Sequence, residues 1–94
     1  MPPMNNRLMR PQRRRPDAPR ILTANQTSGL TWMKPVSNGA RITAYNIYAG
    51  GSFLDVTDGN TTTAPELPNA GTAFQVAAVN AVGEGRKSKA VVAT

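Results

Sequence analysis

From about position 20 onward, apolar and polar residues alternate, and nowhere does an apolar period of 3.6 persist. Residues 28–32, SGLTW, set Leu30 and Trp32 on one face. Residues 42–50, ITAYNIYAG, are rich in β-branched and aromatic side chains, with Tyr45 and Ile47 sharing a face. FLDVT (53–57) is a short strand pattern, and NTTTAPEL (60–67) reads as an edge strand ending at Pro65. TAFQVAAVN (72–80) puts Phe74, Val76 and Ala78 on one side, and SKAVVAT (88–94) closes the chain. Alanine makes residues 72–82 resemble a helix, but their valine and aromatic content and the glycines at 83 and 85 favour strand. Turn signals separate the runs: Asn38-Gly39, Gly50-Gly51, Asp58-Gly59 and Asn69-Ala70-Gly71. Seven short strands at this regular turn spacing predict an all-β fold, a seven-stranded antiparallel sandwich.

The first residues break the pattern. Residues 1–16 carry prolines at 2, 3, 11 and 16 and four apolar residues in no regular period, so neither a helix nor a central strand fits. An extended, polyproline-like arm over 1–16 is expected, ahead of a sandwich over 17–94. The charge is concentrated there. Residues 1–20 hold six arginines against Asp17, a net of +5; the rest holds five cations against four acids, a net of +1. The basic character of the protein therefore belongs to its arm.

A chain of 94 residues makes one domain, burying roughly 60–65% of the surface its unfolded form exposes. It has no cysteine and no histidine, so disulfides and the common zinc sites are excluded. No apolar run approaches the ~20 residues of a membrane span, and MPPMNNRLMR lacks the continuous apolar stretch of a secretory signal. Ser28, Ser37, Ser52 and Ser88 have no histidine to activate them. Asp55 and Asp58 are the one close carboxylate pair; they flank a predicted turn, with a weak calcium site involving Asn60 as the alternative. GEGRKS (83–88) fails as a phosphate loop, because Arg86 stands where a glycine is required and a strand follows. Asn25-Gln26-Thr27 and Asn60-Thr61-Thr62 match the glycosylation sequon by chance. Trp32, Tyr45 and Phe74 belong to the core rather than to a sugar platform, since all fall on inward faces. The expectation is a protein that is not an enzyme and needs neither cofactor nor metal.

Several of these runs resemble the fibronectin type III family, over about residues 16–94. PDAPRIL is similar to its proline-flanked first strand. LTWMKP resembles the second, with Trp32 as the core tryptophan and Pro35 after it. NGARITAYNIY is similar to the third, with Tyr45 and Ile47 inward. FQVAAVNAVGEGRKS resembles the sixth strand and the loop after it, with Phe74, Val76, Ala78, Asn80, Gly83 and Ser88 at family positions. The chain departs from the pattern at Thr72, where the family carries a corner tyrosine, and in the short connection LPNAG. The resemblance implies an immunoglobulin-like sandwich whose loops can carry recognition; no Arg-Gly-Asp tripeptide lies in them. Small domains of this kind with a reaching arm resemble accessory proteins of tailed-phage virions. That likeness implies a virion location and a capsid decoration (cement) role, with a tail or head–tail connector component as runner-up. A cell-surface or extracellular adhesion module, with a host surface bound by the loops, is the third reading.

For the arm, three readings compete: a solubilising tail, a nucleic-acid binder, and an anchor on a large protein assembly such as capsid or tail proteins. No aromatic residue in it offers a stacking platform for single strands. Met1, Met4, Leu8 and Met9 alternate with arginines, and methionine adapts to irregular surfaces. Arg13, Pro16 and Pro19 also fit an Arg-x-x-Pro-x-x-Pro ligand, but those prolines serve the first strand. Ordering such an arm costs roughly 1–2 kcal/mol per residue, which only an external surface can offset. The expected partner-binding residues are Met4, Arg7, Leu8, Met9, Arg10, Arg13, Arg14, Arg15 and Arg20.

Overall fold

The computed structural model describes residues 13–64 and 71–94. Its strands are β1 (Arg20–Asn25), β2 (Gly29–Met33), β3 (Ala44–Ala49), β4 (Ser52–Asp58), β5 (Thr63–Ala64), β6 (Ala73–Asn80), β7 (Gly83–Glu84) and β8 (Val91–Val92). All pairings are antiparallel, and no helix occurs among the described residues. One sheet runs β1-β2-β5; the other runs β4-β3-β6-β7, with β8 also on β6.

The two sheets share one core. Leu30 and Trp32 from β2 meet Tyr45 and Ile47 from β3 and Phe74, Val76 and Ala78 from β6, with Ala24, Ile42 and Ala93 at the margins. These are the residues that alternation puts inward, because successive side chains of a strand point to opposite faces. Trp32 and Tyr45 pack edge to face, with ring centroids 5.4 Å apart. The described turns at Asn38-Gly39, Gly50-Gly51 and Asp58-Gly59 fall between strands as expected.

Two irregularities separate the structure from the alternating pattern. In β1, Ile21 opposes Trp32 but Thr23 opposes Thr31, so Leu22 is an extra residue, and it points into solvent. The strand count is eight among the described residues rather than seven, because the last edge is broken. Val79 opposes Glu84 in the first piece and Phe74 opposes Val91 in the second, so the outer chain takes seven steps against five of β6. Ser88 fills the gap. Its N–H donates to the Val76 carbonyl at 2.7 Å and its hydroxyl accepts from the Val76 N–H at 2.9 Å. A side chain thus takes the place of a ladder partner that the bulged backbone no longer offers.

Candidate functional site: the root of the basic arm

The basic segment does not leave the sandwich at its first strand. Arg14 donates its N–H to the Asn38 carbonyl at 2.9 Å, and Asp17 donates to the Val36 carbonyl at 3.0 Å. Asn38 can receive the chain because it sits at φ +62°, followed by Gly39 at φ +96°, the left-handed pair that an Asn-Gly turn favours. Its amide then faces back and donates to the Arg15 carbonyl at 2.8 Å and to the Asp17 carboxylate at 2.9 Å.

Asn80, at the end of β6, completes the cradle from below. Its amide donates to the Arg14 carbonyl at 2.7 Å and to the Ser37 carbonyl at 2.9 Å. Its side-chain oxygen accepts the N–H groups of Val82 at 2.9 Å and Gly83 at 3.3 Å. Asn80 is only 4% exposed, and its bonds hold three separate backbone stretches together. Gly85 lets the arm root approach: a Cβ there would run into the Pro16 carbonyl oxygen. Pro16 and Pro19 are buried. The fold therefore draws on residues ahead of position 17.

This tethering gathers positive charge. Arg13, Arg14 and Arg15 are exposed and line an open cleft of about 800 Å³ together with Asn38, Val82 and Arg86. A second groove of about 550 Å³ begins on the far side of Arg86. Arg20, Arg86, Lys87 and Lys89 line it together with Pro19, Ile21 and Val91. Arg86 joins the two, so a belt of cations runs from the arm root along the 86–89 segment. The carboxylates nearby are engaged by uncharged donors. Asp17 accepts from Asn38, and Glu84 accepts from Tyr48 and Asn46. The Glu84 hydrogen bond and burial push the Tyr48 hydroxyl above its ordinary value, while Lys87 lies 4.0 Å over the Tyr48 ring.

Of the expected partner-binding residues, the structure brings Arg13, Arg14, Arg15 and Arg20 to this belt. Met4, Arg7, Leu8, Met9 and Arg10 lie outside the described residues. Arg86, Lys87 and Lys89 join the belt without having been among the expected binding residues, although the family resemblance implied that loops such as the one holding GEGRKS can carry recognition. Asn38 and Asn80 were missed as the cradle; their signal was only a turn pair and a strand end. Asp58 forms the turn after β4, whereas Asp55 lies within β4 opposite Ile47. Asp55 accepts from the Val56 N–H at 2.8 Å, and Asp58 accepts from the Asn60 N–H at 2.8 Å and the Thr61 hydroxyl at 3.0 Å. No protein-family model matches the chain, and no curated protein matches it.

Proposed function

We propose that this protein is a non-enzymatic fibronectin type III-like module that attaches to a large protein assembly through its basic N-terminal arm, as a capsid decoration or cement protein of a tailed-phage virion. The observation that carries the anchoring reading is the locked arm root. Residues 14–17 are hydrogen-bonded to Asn38, Val36 and Asn80, so the three consecutive arginines at 13–15 are held at a fixed place on the sandwich. A solubilising tail gains nothing from such fixation. An anchor does, because a preorganised segment loses less entropy on binding. Arginine suits an acidic protein groove, since its planar fork pairs bidentately with carboxylates and stays charged. The decoration role itself rests on the family likeness and the reaching arm.

The test is co-sedimentation with purified virions of the source phage, with and without nuclease and across salt. A deletion of residues 1–12 leaves the cradle intact and is the clean truncation. It and the triple variant Arg13→Gln, Arg14→Gln, Arg15→Gln are expected to lose occupancy. Salt should weaken attachment without abolishing it, because the methionine and leucine contacts are not screened. Release by nuclease, with an affinity that falls at a log–log slope of about −0.9 per phosphate contacted, would identify a nucleic-acid arm instead. Full occupancy by both variants would leave the solubilising tail as the better account.

A further inference from the structure

The five-stranded sheet has two edges of opposite character. At one, β4 pairs only with β3 among the described residues. It exposes Phe53, Leu54 and Val56 with Asp55 and Asp58, and no lysine or arginine. At the other, Pro16 covers Gly85, leaving 86–92 as the open length, with Arg86, Lys87 and Lys89 and no acid. Exposed apolar edge strands template pairing unless something blocks them. The register makes the two edges complementary. Asp55 opposes Ile47, so it shares the core-side face of the sheet, whereas Val56 and Phe53 oppose Asn46 and Tyr48 on the outer face. The basic groove lined by Arg20, Arg86 and Lys89 also includes Ile21, a residue packed against the core. Continuing the sheet from one copy into the next brings Asp55 over that groove and Phe53 and Val56 alongside Lys87.

We propose that a second copy of this chain is the occupant of the basic groove, joined head to tail by its β4 edge. Such an interface is heterologous, so it propagates into rings or rows rather than stopping at a two-fold dimer. It does not depend on what the arm binds.

Analytical ultracentrifugation of the full-length chain at low salt, over a wide concentration range, tests it. The wild type is expected to self-associate with rising concentration and to dissociate as salt increases. Asp55→Lys on one edge, or Arg86→Glu with Lys89→Glu on the other, should each weaken association about tenfold or more, equivalent to ~1.4 kcal/mol. Mixing the two variants should restore association, because the unaltered β4 edge meets the unaltered basic edge and the two charge-reversed edges are again of opposite sign. Each variant is first checked for wild-type Trp32 emission; if Asp55→Lys fails that check, Leu54→Lys at the β4 bulge replaces it. A wild type that stays monomeric throughout overturns the proposal, as does association indifferent to both edge variants. Association abolished by deleting residues 1–12 but untouched by Arg86→Glu with Lys89→Glu would also overturn it, since the arm would then be the occupant.

Discussion

Replacing Asn80 by alanine tests the arm-root cradle most directly. The side chain is buried and makes four hydrogen bonds of 2.7–3.3 Å, two donated to the Arg14 and Ser37 carbonyls and two accepted from Val82 and Gly83, beside a longer one of 3.4 Å to the Ala40 carbonyl. A net worth of about 1 kcal/mol each sets a ceiling of about 4 kcal/mol. The Val82 and Gly83 amides lie near the surface and can recover water, which brings the expected loss to about 3 kcal/mol. That is a large share of the roughly 5–15 kcal/mol that holds a small domain together. Urea unfolding followed by Trp32 fluorescence reads the loss as a lower midpoint at unchanged slope. Limited trypsinolysis reads the local part. The Arg15–Pro16 bond resists trypsin, so cleavage after Arg13 and Arg14 reports release of the root. Both sites should be cut faster in Asn80→Ala than in the wild type under conditions where both are folded. Asn80→Asp is the sharper control. It keeps the acceptor but turns the donor into an oxygen aimed at two carbonyls, so it should be at least as damaging at neutral pH and partly recover on acidification. A loss under about 0.5 kcal/mol, the scale of an ordinary surface substitution, with unchanged cleavage would refute the idea that Asn80 ties the arm to the sandwich.

Four further outcomes are expected. Trp32→Ala should cost about 3–5 kcal/mol in the same urea assay, since the ring fills the centre of a small core; a native emission spectrum of fully solvated tryptophan would contradict its burial. Tyr45→Phe should be neutral or stabilising by up to ~1 kcal/mol, because the buried hydroxyl has no partner among the described residues. Deleting residues 1–12 should leave the urea midpoint unchanged, while deleting 1–16 should lower it, since only the second cut removes the carbonyls of Arg14 and Arg15 from the cradle. For Tyr48, folding favours the protonated hydroxyl, so its contribution is fully present below the ordinary tyrosine value of 10.0 and is lost as pH rises through the higher folded value. Thermal melts should therefore show an alkaline loss of stability that Tyr48→Phe reduces.

The core was legible because burial acts on a period of two. Leu30 with Trp32, Tyr45 with Ile47, and Phe74 with Val76 and Ala78 can face inward together only in strands, and all are buried. The departures were not legible, because each rests on one residue whose composition looks ordinary. Leu22 fits an inward position by hydropathy, yet the bulge after Ile21 turns it to solvent. Ser88 reads as a polar strand residue, yet it bridges a two-residue slip in the last edge. The arm root was hidden for a different reason. Its bonds join main-chain carbonyls at 14 and 15 to side chains at 38 and 80, and no local periodicity encodes contacts across such separations.

That hidden contact changes how the charge should be understood. Three adjacent arginines repel one another, and in a loose tail that repulsion is relieved by spreading apart. Here the backbone that carries them is held by Asn38 and Asn80, and Arg86 stands across the same cleft. Holding like charges together costs free energy in the isolated protein, and the cost falls when an anionic surface neutralises them. The cradle's hydrogen bonds supply the offset locally, at about 1 kcal/mol each. Weakening the cradle and neutralising the arginines should therefore not be independent. Arg14→Gln should stabilise the wild type more than it stabilises Asn80→Ala if repulsion strains the root, because a released root has already spread its charges; strictly additive effects would mean that the charges are screened from one another by water.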